Sequence, residues 1–126
     1  MVTSALRNCH DLARVDDVWK FKNCLVDAIK NKLDINQCCG NLNRSILHAA
    51  SYNGCSRNIA ELLEGAGKEA GFRSINDVDA FGDTALHDAC ARQHEACALE
   101  LLEKSGKRAG FTAISTKNNQ GRTFYF

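Results

Sequence analysis

The chain has 126 residues, 44% hydrophobic and 25% charged, which suits one folded domain with a modest core and excludes a disordered or collagen-like chain. Sixteen basic residues face fifteen acidic ones, and the balance holds locally: six against five over 1–40, four against five over 41–80, six against five over 81–126. A protein whose affinity comes mainly from neutralising phosphates is thereby excluded, and no apolar run is long enough for a secretory leader or a membrane span. The expectation is an intracellular protein that uses neither nucleic acid nor membrane. Its seven cysteines, an odd number, are then expected to be reduced thiols. Proline is absent, so glycine must mark the turns.

In chain order, the first helical segment carries Cys9-His10-Asp11 and Ala13-Arg14. A second helix is predicted over Val18 to Lys30, with Val18, Phe21, Leu25 and Ile29 forming an apolar stripe and Trp19 lying off its centre. Ile35-Asn36 and Cys38-Cys39 follow in a loop, where the two thiols are expected to be solvent-exposed.

From here the chain repeats. Residues 44–82 match 83–121 with a shift of 39: Leu47-His48 falls on Leu86-His87, Glu61-Leu62-Leu63-Glu64 on Glu100-Leu101-Leu102-Glu103, and Ala70-Gly71-Phe72 on Ala109-Gly110-Phe111. The opening segment is a weaker copy, since Cys9-His10-Asp11 and Ala13-Arg14 align with Leu86-His87-Asp88 and Ala91-Arg92. Each full unit predicts a first helix, about 45–53 and 84–92, opened by the capping residues Ser45 and Thr84. A second helix follows Gly54 in one copy and starts near His94 in the other, burying Ile59, Leu62 and Leu63 or Ala98, Leu101 and Leu102. Ala-Gly-Phe predicts a Schellman turn, so helix two should extend toward Gly71 and Gly110, with Gly65, Gly67 and Gly106 as alternative ends. Gly121 to Phe126 begins a fourth unit: either the chain continues, or Phe124 and Phe126 fold back over the third unit.

Asp79-Ala80-Phe81-Gly82-Asp83-Thr84-Ala85-Leu86-His87 followed by Leu101-Leu102, and Ser45-Ile46-Leu47-His48 followed by Leu62-Leu63 and Ile75-Asn76, resemble ankyrin repeats. The resemblance implies an all-α ankyrin-repeat solenoid forming a single domain over 1–126. It has about three helix-turn-helix units joined by hairpin loops, approximately 5–42, 43–81 and 82–120, with a partial unit at 121–126. These units are 38–39 residues long, against 33 in the family pattern; six additional residues lie between Leu-Leu and Ile75 or Ile114. The family's proline is replaced by Ile46 and Ala85.

Chemistry is not expected. His10, His48 and His87 hold one repeat position, and copies about 10 Å apart along a stack cannot share an ion whose nitrogen ligands sit about 2 Å away. The resemblance gives them a structural role. Cys90, His94 and Cys97 are spaced like ligands on one helix face, but the repeat puts a turn between the first two. Cys9 and His10 are sequence neighbours that a helix points apart, and no glycine-rich phosphate loop is present. The expectation is no enzyme, no metal and no cofactor.

The resemblance places partner binding on a concave groove of hairpin tips and first helices. Here that gives Asn41, Leu42, Arg44, Tyr52 and Asn53 in the middle unit and Ala80, Phe81, Asp83, Ala91 and Arg92 in the next. Tyr52 and Phe81 between Arg44 and Arg92 have the composition of an interface hot spot. The alternative for Phe81 is burial beneath its own hairpin. The leading expectation is a cytoplasmic or nuclear module that binds another protein as a scaffold or stoichiometric inhibitor. The narrower one is an inhibitor of Rel-family (NF-κB) transcription factors, similar to IκB and to the short virus-encoded ankyrin proteins that act in the host-cell cytoplasm.

Overall fold

A computed structural model describes residues 3–123, in which the regular elements are eight helices. These are α1 (Ser4–Ala13), α2 (Val18–Lys30), α3 (Ile46–Tyr52), α4 (Ser56–Glu64), α5 (Ala66–Glu69), α6 (Ala85–Ala91), α7 (Glu95–Glu103) and α8 (Ser105–Ala109). Side-chain oxygens begin four of them: Thr3 accepts from the Leu6 amide, Asp17 from Lys20, Ser45 from His48 and Thr84 from His87. Helices of seven to nine residues are not stable alone, so packing between units must hold them. First helices stack on first helices (α1 on α3, α3 on α6) and second on second (α2 on α4, α4 on α7). Phe21, Leu25, Ile46, Ile59, Leu62, Leu86 and Leu101 are each fully buried in one continuous core. Each contributes about 1.5–3 kcal/mol by leaving water.

The predicted α2 has the predicted limits, but its buried stripe differs. Phe21, Leu25 and Ala28 face inward, while Ile29 is 36% exposed. The pattern favoured the larger side chain, but the buried face of α2, which packs on α1, α4 and α5, carries Ala28 in its place.

Helix two does not run unbroken to Gly71 and Gly110. In the middle unit it breaks at Gly65, and in the next at Lys104, the residue 39 positions on. A short helix then starts afresh, α5 or α8, and its first amide is taken by the carboxylate of Glu61 (2.6 Å to Ala66 N) or Glu100 (3.1 Å to Ser105 N). That is the physical reason the first Glu of Glu-Leu-Leu-Glu recurs. Both short helices end in the predicted Schellman turn: Phe72 N donates to Gly67 O at 2.9 Å and Gly71 N to Lys68 O at 3.0 Å, with matching bonds at Phe111 and Gly110. Gly67 and Gly106 permit the tight break, because a Cβ there would lie 2.2 or 2.3 Å from the Leu62 or Leu101 carbonyl oxygen. The residues beyond the family length thus form a small helix packed on the second helix of the preceding unit, α5 on α2 and α8 on α4. Arg108 on α8 forms an ion pair with Glu64 on α4.

Hairpins close at Cys39 and Arg44, at Asp79 and Asp83, and at Asn118 and Arg122. Asp79 and Asn118 organise the last two, each accepting two amides of its own turn on Oδ1. The tips also pair with one another: Ala80 N donates to Leu42 O at 2.8 Å and Asn119 N to Phe81 O at 2.9 Å. Cys38 and Cys39 are half-buried, not solvent-exposed as expected; Cys39 is paired through its backbone with Arg44 across the first hairpin. Phe124 and Phe126 lie outside the described residues.

Candidate protein-interaction groove

Two side-chain ladders fix the geometry of the groove. In the first, Nδ1 of His48 accepts the Ser45 amide at 3.2 Å, which leaves the proton on Nε2 to donate to the Asp83 carbonyl at 2.7 Å. His87 repeats this, accepting from Thr84 N at 3.0 Å and reaching the Arg122 carbonyl at 2.9 Å. One histidine therefore caps its own helix and holds the next hairpin. His10 departs from the pattern and contacts the Gln37 carbonyl at 3.3 Å. Burial lowers the pKa of His10 and His48, favouring the neutral ring these bonds require.

The second ladder lies on the opposite edge. Nδ2 of Asn36 donates to Gly71 O while its Oδ1 accepts Arg73 N, Ser74 N and the Ser74 hydroxyl. Asn76 does the same to Gly110 O, Thr112 N and Ala113 N.

Between the hairpins and the first helices lies a cavity of about 360 Å³. It brings together five of the predicted residues, Asn41, Leu42, Arg44, Tyr52 and Asn53. The Tyr52 ring is bracketed by two guanidinium groups, Arg44 at 4.6 Å and Arg92 at 4.7 Å from its centroid. Phe81 is 52% exposed at the hairpin tip, so it does not tuck beneath its hairpin. Ala80 is exposed beside it and Ala91 is exposed at the end of α6. Asp83 is committed elsewhere: its carbonyl takes His48 and its carboxylate accepts from Asn118 at 2.9 Å.

The family model for ankyrin repeats, in three copies, matches residues 18–113. The chain belongs to the ankyrin-repeat family. No curated protein matches it. Ankyrin repeats mediate binding to another protein and the family is typically non-enzymatic. Among the described residues no helix is long and apolar enough to cross a membrane.

In this ankyrin stack the floor beneath the groove is polar. Ligand atoms of His48, Asp79 and Asp88, all buried, lie within 4.8 Å of one another. They do not fit a divalent cation: both His48 nitrogens are engaged, and the Arg44 guanidinium stands 3.5 Å from Asp79 Oδ2. Asp79 and Asp88 each keep one buried oxygen without a hydrogen-bond partner. Burial pushes the Asp88 carboxyl up to about 8, against the pull of Arg44. The cluster thus holds a proton and a guanidinium. The other spacing, Cys90, His94 and Cys97, is split between α6 and α7, with His94 turned to the Tyr52 carbonyl at 3.0 Å.

Sequence reasoning missed the share of the first unit. His10 and Arg14 line the cavity and Arg7 an adjoining recess. The signal was present, since Ala13-Arg14 aligns with Ala91-Arg92 in the repeat.

Proposed function

We propose that the face formed by α1, α3, α6 and the hairpin tips binds an extended, acidic segment of a partner protein, so that the chain acts as a scaffold or stoichiometric inhibitor without chemistry of its own. The observation that carries this is Tyr52 held between two guanidinium groups at the mouth of the cavity. Arg14 and Arg44 line the cavity and Arg92 stands over the Tyr52 ring, while the buried carboxyl of Asp88 keeps its proton near neutral pH. Asn41, Leu42, Asn53, Ala80 and Phe81 complete the contact surface, and a preorganised stack loses little ordering entropy on binding. In capture experiments with the purified chain, Tyr52→Ala with Phe81→Ala, or Arg92→Glu alone, should abolish retention of bound proteins while helical circular dichroism is kept. Lys22→Glu, an exposed charge on α2, should leave retention intact. Equal retention by all variants refutes the assignment.

The narrower reading is inhibition of Rel-family transcription factors in the cytoplasm or nucleus. What supports it is sequence character: long units and a Trp19-Lys20-Phe21 segment in the degenerate first unit, with Trp19 67% exposed. Failure of purified Rel proteins to co-precipitate with the chain removes it.

A further inference from the structure

The sulfurs of Cys9 on α1 and Cys24 on α2 lie 2.7 Å apart, fifteen residues apart in sequence. No other pair of thiols hydrogen-bonds among the described residues. A modest approach brings these two to the roughly 2.05 Å of a disulfide. Their surroundings are unequal. Cys9 is 1% exposed and Cys24 is half-buried, and both border, with Asn8 and Asp27, a cavity of about 170 Å³. The amide of Asn8 donates to the Cys24 sulfur at 3.6 Å. We propose that Cys9 and Cys24 form a peroxide-responsive dithiol in which Cys24 reacts with the oxidant and Cys9 resolves it to a disulfide bridging α1 and α2.

The chemistry balances. The Cys24 thiolate attacks one oxygen of hydrogen peroxide, the O–O bond breaks, and the departing hydroxide takes a proton to become water, leaving a sulfenic acid on Cys24. Cys9 then gives up its thiol proton and its sulfur attacks the Cys24 sulfur; the S–O bond breaks and a second water leaves. Two thiols are oxidised by two electrons and one peroxide is reduced to two waters. The sulfur contact with Cys9, then donation from Asn8, holds Cys24 below its ordinary pKa, while the same contact and burial raise Cys9. Burial and the neighbouring Asp27 charge oppose the effect at Cys24 without reversing it. The remaining thiols differ: burial raises Cys38, Cys39, Cys55, Cys90 and Cys97, the last to about 12.

The bond would clamp α1, which carries His10 and Arg14 into the groove, onto α2. The test is peptide mapping of the reduced full chain after limiting hydrogen peroxide. The expected product links Cys9 to Cys24, reverses with dithiothreitol, and raises the Tm by roughly 5–10 °C. In Cys9→Ala, a dimedone adduct should accumulate on Cys24 about tenfold faster than on Cys38 or Cys39. A first-formed Cys38–Cys39 link, or a Cys24 that stays unmodified in the folded wild type, overturns the proposal. Wild-type mapping decides the matter even where the variant folds poorly.

Discussion

Asp88→Asn exchanges a buried carboxyl for an amide of the same shape that cannot ionise. Asp88 is 3% exposed with one oxygen unpartnered, and Asp79, Asp83, His48 and Arg44 are the charged or titratable groups around it. Its carboxyl, ordinarily near 3.8, holds its proton up to about 8 in the folded chain because burial penalises the anion. The unfolded chain releases that proton near the ordinary value. Between the two, the folded state binds more protons than the unfolded one, so stability is greatest at low pH and declines as pH rises, by about 1.4 kcal/mol per pH unit. From about pH 6 to about pH 7.5 the wild type should therefore lose about 2 kcal/mol relative to the variant, whose amide contributes no such slope. His48, whose pKa burial lowers, is present in both proteins, so its own titration drops out of the comparison. Urea unfolding followed by circular dichroism at the two pH values reads this directly. With a denaturant slope of about 2 kcal/mol per molar, the gap between the two midpoints should change by about 1 M. The amide adds a constant offset, so only the change counts. A gap equal at both pH values would mean that Asp88 is already ionised in the folded state, and the account of the buried cluster would fail.

Asn36→Ala removes four hydrogen bonds between the first two units, and because this edge is partly wet the expected cost is about 1–2 kcal/mol in chemical denaturation. Hydrogen exchange should quicken at Arg73 and Ser74, whose amides lose their acceptor, and leave Thr112 unchanged. Gly67→Ala forces a methyl group onto the Leu62 carbonyl and should destabilise by about 3 kcal/mol or more; a loss of only a few tenths would contradict the close break between α4 and α5.

The repeat offset made most of the fold legible, because a ladder position recurs: a histidine at 48 and 87, an asparagine at 36 and 76, a glutamate at 61 and 100. What it could not show was burial. Nothing local in the sequence distinguishes the carboxyls of Asp79 and Asp88, which the fold buries, from ones that water reaches. Cys9 and Cys24 were likewise invisible as a pair, since their contact depends on how α1 crosses α2 and the position of Cys9 is filled by Leu47 and Leu86 in the later units. Of the residues that line the cavity, Asn41, Leu42, Arg44, Tyr52 and Asn53 of the middle unit were readable from the repeat. The first unit's Arg14 was overlooked because its copy of the motif is degenerate, although its alignment with Arg92 pointed to it.

The ladders have a direction. His48 reaches forward to the carbonyl of Asp83 and His87 to that of Arg122, while Asn36 and Asn76 reach forward to the main chain around 71–74 and 110–113. With the Ser74 hydroxyl as the exception, what they grip is the peptide backbone, which every sequence supplies. In these ladders, therefore, a unit brings its own polar fastening and asks almost nothing of its neighbour's polar side chains. Substitutions at exposed tip residues such as Ala80 and Phe81 leave these joints in place, so the surface of the stack is free to change while the polar ladders beneath it stay the same.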